Sequence, residues 1–411
     1  MEKKKYRQLL SQRQYIRLLL ADTINRFGDS IDVIAYSWIM YEITGSASLM
    51  ALVVGLNFVP TVFLTPFAGA FVDRISKKRV MALADLLRFL FVAAIVTLYT
   101  TGLLSPALIV TFTLATSTVE AFRLPAGGAI LPQLLEQEYY TLGKAASYSS
   151  SRISELAGYM LAGGVIALVG AAGALWIDAA TFLISSAIIW SIRYQENLQG
   201  AKQTVKGVIQ DFAEGFRFIR ASRTIRTVSL MGLLINFGIM PLTVFQTPYV
   251  SDYLKMGPET LSYIKILMSV GMMTGAALLP KLGKIKTPAI VVAAGVIMGA
   301  ALIEMSIAQS LSSLALKMGI LTLSMVSIGF GGGLLNVVIG SSVMKAVPKE
   351  MMGRISGFLA ALMQASMPVA SFICSALAVY FHIPHILVFF GSLTLLCYLA
   401  LYFRKKLDAL S

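Results

Sequence analysis

Apolar residues in this chain are gathered into successive runs of about twenty, the length of helix that crosses the hydrocarbon core of a bilayer, and short polar or Gly/Pro breaks separate them. A backbone placed in hydrocarbon must satisfy its own N–H and C=O groups, so each run is predicted to be a helix. The breaks put twelve such helices near 15–43, 48–72, 79–101, 105–132, 142–169, 173–193, 227–250, 261–282, 287–308, 313–345, 352–380 and 385–403. Composition agrees: of 411 residues 57% are hydrophobic and 13% charged, about half the charge of a soluble protein. No sizeable soluble domain fits in what is left, and the basic stretch up to Gln14 has no small-residue cleavage pattern, so no cleavable signal peptide is expected.

The breaks alternate in charge. On the side of the N-terminal tail lie Lys3, Lys4, Lys5, Arg7 and Arg13, then Arg74, Lys77, Lys78 and Arg79, and so on to Arg404, Lys405 and Lys406; the opposite loops hold Lys255 alone. The positive-inside rule then predicts both termini in the cytoplasm of a multi-pass cell-membrane protein. It also accounts for the net charge of +14 as a topological excess facing anionic lipid, which leaves no call for a nucleic-acid partner.

The one long polar stretch runs from Arg193 to Arg226 and divides the helices six and six. The domains expected are 1–194, a six-helix bundle, 195–226, a cytoplasmic linker, and 227–411, a second six-helix bundle. Within the linker Val205, Val208, Ile209, Phe212, Phe216 and Ile219 recur at helical spacing among charged residues, predicting an amphipathic helix on the membrane surface. A basic turn after span 2, Arg74 to Arg79, has a degraded echo after span 8, Lys281 to Lys286, as parallel repeats would give.

Ionisable groups at bilayer depth need a partner or water, and span 1 concentrates them. Asp22, Arg26 and Asp29 fall on one helical face, with Asn25, Asp32 and Tyr36 beside them. Arg26 can reach Asp22 and Asp29 at i−4 and i+3, which leaves Asp32 as the carboxylate without a local cation. Asp32, Asp29, Arg26 and Asp22 are therefore candidates for proton coupling; the alternative is a structural ion cluster. Asp85 with Arg88, Glu120 with Arg123 and Arg152 with Glu155 are i,i+3 pairs that read as gate or scaffold. In the second half the cavity candidates are uncharged: Asn236, Phe237, Gln246, Asn336, Met363 and Gln364, with Tyr36 facing from span 1. Met and aromatic surfaces of this kind repack around varied apolar ligands.

The run Gly69-Ala70-Phe71-Val72-Asp73-Arg74-Ile75-Ser76-Lys77-Lys78-Arg79 resembles the G-x-x-x-D-R-x-x-[RK]-[RK] signature of the major facilitator superfamily. Phe27-Gly28-Asp29, Ala84-Asp85-Leu86-Leu87-Arg88, Ile177-Asp178-Ala179-Ala180-Thr181-Phe182-Leu183 and Val347-Pro348 to Gly353-Arg354 resemble its branch of macrolide effluxers and enterobactin-type exporters. The resemblance implies a secondary transporter working by alternating access. It also implies a cytoplasmic gate at Gly69, Asp73, Arg74, Lys77, Lys78 and Arg79, in which Asp73 pairs with Arg123 and Gly69 permits close helix contact. One departure bears on antiport: where proton-coupled relatives often carry G-P-x-x-G-G in span 5, this chain has Tyr159-Met160-Leu161-Ala162-Gly163-Gly164. The small residues Gly158, Ala162 and Gly163 are expected to bring helices 5 and 8 together.

No nucleotide-binding loop occurs, so transport is expected to draw on a gradient. Cys374 and Cys397 lie in apolar runs, and His382 and His385 have no carboxylates near them, so neither a metal nor another cofactor is expected. The function these features predict is proton-coupled export of amphipathic small molecules, drug, macrolide or siderophore-like, by a monomer in contact with membrane lipid. A lipid or lysophospholipid transporter or flippase is the alternative, and an enzyme is not expected.

Overall fold

The computed structural model describes residues 8–9, 11–72, 74–194, 205–282, 285–348 and 351–410. Among them every regular element is helical. The first five helices are α1 (Arg13–Thr44), α2 (Ala47–Val72), α3 (Lys77–Thr100), α4 (Pro106–Leu134) and α5 (Tyr140–Ser191). Then come α6 (Val205–Ala221), α7 (Arg223–Pro248), α8 (Glu259–Leu278), α9 (Thr287–Ala308) and α10 (Leu314–Ala346). The last three are α11 (Met352–Gln364), α12 (Ser366–Leu377) and α13 (Ile383–Phe403).

Among the described residues ten helical segments are long and apolar enough to cross a membrane, α11 and α12 counting together as one of them. The charged face of α1 keeps that 32-residue helix out of the ten. The 50-residue candidate Leu142–Ser191 is a continuous helix only in name: Gly170 at φ 73°, ψ 170° breaks it, a conformation essentially confined to glycine. The sequence break expected between 169 and 173 is this residue. The single span expected over 352–380 is present as one candidate, Ile355–Leu377, with a local break at Ala365 where α11 passes into α12. Large apolar side chains such as Leu168, Phe63 and Met344 stand 86%, 63% and 68% exposed, a surface tolerated in lipid and an aggregation liability in water.

The described residues fall into two compact units. One takes in Met1–Gly45 and Leu56–Val208, the other Ser46–Gly55 and Ile209–Ser411. In the first, α1 lies along α5, and α3 packs on both α4 and α5. Gly28 of α1 is what lets the second segment of α5 close in, since a Cβ there would meet Asp178 Oδ1 at 2.5 Å and the Thr181 hydroxyl closer still. Gly158 does the same for the first segment, where a Cβ would lie 2.6 Å from Ser30 Cβ and 2.8 Å from the Phe27 carbonyl. At Gly158 the missing side chain brings α5 against α1.

In the second unit the Gly329 to Gly333 cluster packs helices. Cβ atoms at Gly329 and Gly333 would strike the Met268 and Met272 carbonyls of α8, while Gly271 and Gly275 meet the Val326 and Phe330 carbonyls in return. Two small-xxx-small faces thus bring the backbones of α8 and α10 together. At the start of α2, Ser48 and Ser375 each donate to the other's carbonyl, at 2.8 and 2.9 Å, and Ser371 donates to the Ala51 carbonyl at 2.5 Å. Helix α6 lies in the predicted linker. Its Ile219 is buried with Ile225, Val343, Ile355 and Leu359, and Gly215 meets the Phe358 ring, so this end of α6 is seated on protein rather than on a membrane surface. Of the apolar residues expected on its face, Val205, Val208, Ile209 and Phe212 have side chains outside the described set.

Candidate functional site

A polar cavity of about 230 Å³ opens in the first unit, lined by Asp22, Asn25, Arg26, Asp29, Arg88, Glu120, Arg123, Leu124, Gly127 and Ser151. Three helices supply its charges: Asp22, Arg26 and Asp29 on α1, Arg88 on α3, and Glu120 and Arg123 on α4, with fully buried Asp85 of α3 behind them.

The ion pairs run between helices. Arg123 donates through Nε to Asp85 Oδ1 at 2.5 Å and through NH2 to Asp85 Oδ2 at 3.2 Å and Asp22 Oδ1 at 3.0 Å. Arg88 donates to Asp29 Oδ1 at 2.7 Å. Asn25, 3% exposed, joins the two pairs: its amide donates to Asp85 Oδ1 at 3.1 Å and its carbonyl accepts from Arg88 NH1 at 3.5 Å. Asp85 is fully buried and completes its shell with the Ser185 hydroxyl, which donates to Oδ2 at 2.7 Å. A forked guanidinium on two carboxylates, with every Asp85 oxygen hydrogen-bonded, is the arrangement in which a buried charge offsets its desolvation.

The local pairing expected for Arg26 is not what forms. Arg26 is exposed and makes no ion pair among the described residues, while Asp29 takes Arg88 and Asp22 takes Arg123. Nor do Asp85 with Arg88 and Glu120 with Arg123 pair along their own helices; the third such pair, Arg152 with Glu155, does form at 2.8 Å. Spacing alone shows which charges share a helix face, whereas the cross-helix partner depends on rotation and depth. Asp32, half-buried, makes neither a hydrogen bond nor an ion pair among the described residues. Tyr36 shares a hydrogen bond with Thr113 at 2.8 Å on α4.

At the signature run, Asp73 lies outside the described residues, and the Arg123 expected to pair with it is engaged by Asp85 and Asp22. Among the described residues a Cβ on Gly69 would meet nothing within 4 Å. Lys77 is 4% exposed. Ser76 caps α3 by accepting from the Arg79 N–H at 3.3 Å. Lys78 donates to the Ile192 carbonyl at 2.7 Å and sits over the Trp190 ring. Lys78 and Arg79 line a second cavity of about 440 Å³ with Ser76, Trp190, Ile192, Arg193 and Tyr194; Arg74 is exposed.

In the second unit the uncharged candidates are only partly brought together. Asn236 donates to the Met363 carbonyl at 2.9 Å, Met363 fills the space beside Gly232, and Phe237 stacks on Phe390 with centroids 5.2 Å apart. Gln246 is 5% exposed, Asn336 donates back to Gly332 of its own helix at 2.9 Å, and Gln364 is exposed at the end of α11. No group of three or more metal-ligating side chains occurs among the described residues.

The conserved description of one family covers almost all of this architecture: the Major Facilitator Superfamily pattern matches residues 18–371. The chain belongs to the major facilitator superfamily. It is therefore a multi-pass membrane transporter of a superfamily whose members bind small-molecule substrates. Among similar proteins, the multidrug efflux pump Tap of Mycolicibacterium fortuitum is 26% identical over 364 residues, covering 85% of this chain and 86% of that one. Macrolide efflux protein A of Streptococcus pyogenes is 26% identical over 360 residues, covering 86% of each. Among solved structures, a mutant form of the nucleoside transporter NupG superposes with a TM-score of 0.74 at 15% identity, covering 94% of this chain and 99% of that one; at that identity the likeness speaks for the fold.

Sequence reasoning passed over one residue of this constellation. Asp178, on the second segment of α5, is fully buried beside Gly28. Its signal was available: Asp178, Thr181, Ser185 and Ser186 recur at i, i+3, i+7 and i+8 in an otherwise apolar run, a polar stripe that only a face turned toward other polar groups would keep.

Proposed function

We propose that this chain exports amphipathic small molecules of the drug or macrolide kind across the cell membrane, driven by protons and working as a monomer by alternating access. Twelve membrane helices form two six-helix bundles, 1–194 and 227–411, joined by the linker 195–226, with both termini cytoplasmic. The helix count takes α1 as a span with a wet face and α5 as two spans divided at Gly170, and the orientation follows the cation asymmetry of the loops. The substrate class rests on the two efflux relatives, each aligned over about 85% of this chain.

Proton coupling rests on one observation, the charged cavity of the first unit, where Arg88 and Arg123 are held by Asp29, Asp22 and Asp85 while Asp32, one turn along α1 from Gly28, makes no ion pair among the described residues. One proton moving inward at 100 mV supplies about 2.3 kcal/mol before any pH gradient is counted, and a carboxyl that reaches each side in turn can harvest it. The test is transport by purified protein in liposomes with imposed pH and potential gradients. Uphill movement of a macrolide or a cationic dye that stops when the pH gradient is collapsed at constant potential supports the reading; accumulation indifferent to the gradient overturns it. Movement of lysophospholipid in place of these compounds would transfer the same machinery to the lipid-transport alternative.

A further inference from the structure

Among the described residues of the first unit, Asp178 is a fully buried carboxyl with no ion pair. Its Oδ2 has no hydrogen-bond partner. Oδ1 faces the Thr181 hydroxyl at 3.5 Å, but that hydroxyl donates to the Asp178 backbone carbonyl at 2.7 Å. Asp85, equally buried, is held by Arg123, Asn25 and Ser185; Asp178 has no such shell. An ionised carboxylate enclosed without donors is strongly disfavoured, whereas a neutral acid leaves only one unmade hydrogen bond.

Its position connects it to the cavity. The Asp178 carboxyl rests on Gly28, one residue before Asp29 and one turn before Asp32. One turn along from Asp178, the Phe182 ring carries the Arg88 guanidinium, 4.0 Å above its centroid, and Arg88 is paired with Asp29, leaving its Nε without a partner. The charges that act on Asp178 are Asp32 and Asp29 from α1 and Arg88 from α3; Glu120 from α4 acts on Asp32 and Arg88, and Arg123 is committed to Asp85 and Asp22. One shared guanidinium thus serves three carboxyls, and Asp29 holds it.

We infer that Asp178 carries a proton of the transport cycle and exchanges it with Asp32 past the bare backbone of Gly28. The proton bound on Oδ2 makes Asp178 a neutral acid. Its release passes the proton to the Asp32 carboxylate and from there to cavity water, leaving Asp178 ionised at the moment Arg88 must turn toward it from Asp29. The inference rests on the proton-coupled reading and adds a residue to it. Gly28 has a stated purpose in it, since any side chain there would separate the two acids.

The test compares wild type, Asp178→Asn and Asp178→Glu in liposomes, reading both uphill accumulation of a cationic dye under a pH gradient and dye counterflow, which needs no net proton movement. Asp178→Asn is expected to lose accumulation at least tenfold while keeping counterflow, and Asp178→Glu to recover part of it. Infrared spectra of wild type in membranes at neutral pH should carry a protonated-carboxyl C=O band that Asp178→Asn lacks. Wild-type accumulation by Asp178→Asn overturns the inference and leaves proton coupling standing. A wild type indifferent to the gradient sinks the coupling reading first and the inference with it. Should neither variant insert, the wild-type spectrum decides, because absence of any protonated-carboxyl band overturns the assignment.

Discussion

Arg123 is the residue on which the cavity is built. It is the only cation on fully buried Asp85 among the described residues and it also reaches Asp22, so Arg123→Ala leaves an uncompensated carboxylate in the bundle at a cost of about 3–5 kcal/mol. Detergent thermal melts of the purified variant are expected to fall steeply, with Arg123→Lys intermediate because an ammonium cannot make the forked contact; an unchanged melting temperature for Arg123→Ala would refute this role. The acids of α1 should separate. Asp29→Asn frees Arg88 and lowers folded yield, whereas Asp32→Asn has no partner to disturb and is expected to retain substrate binding and lose uphill transport. Equal expression defects in both would assign Asp32 to the scaffold. That these residues share one wet face was readable from α1 itself; who pairs with whom was not. Helical spacing offered Arg26 as the partner of Asp22 and Asp29, and the actual partners come from positions 88 and 123, where contact is set by the packing of three helices.

At the scale of elements, backbone proximity is fixed by glycines, and a pair of substitutions on α10 tests it. Gly329→Ala drives a methyl into the Met268 carbonyl, and overpacking of this kind costs about 1–3 kcal/mol. Gly332→Ala, one position short of a turn away, meets nothing within 4 Å and is expected to be neutral or slightly stabilising, because alanine favours a helix by up to about 1 kcal/mol over glycine. Melting temperatures of the two variants check this directly; equal shifts would deny the α8–α10 contact. The break near residue 170 was legible as a boundary. The seat of α6 was not, because an apolar stripe has the same spacing whether it faces lipid headgroups or, as Ile219 does, a protein core. The break at Ala365 did leave a signal that was passed over: Pro368 lacks an N–H and its ring crowds the carbonyl four residues back, at Gln364, where α11 ends.

At the scale of the whole molecule, the chain is an all-helical membrane transporter whose charge is sorted by the loops it occupies. Single cysteines at positions 78 and 286, introduced after replacing Cys374 and Cys397, are expected to react with a membrane-impermeant maleimide only when the cytoplasmic side is accessible, and a cysteine at position 255 only from outside. Labelling of position 78 from outside would overturn the orientation. The central claim is that substrate leaves as protons enter through the acidic cavity of the first unit. The measurement that reaches it most directly is proton movement itself, read by a pH-sensitive dye trapped in proteoliposomes with the potential clamped, on addition of a macrolide gradient. Substrate flow is predicted to drive a proton flux in the opposite direction that Asp32→Asn abolishes; substrate flow of the same rate with no proton flux in the wild type would contradict the account.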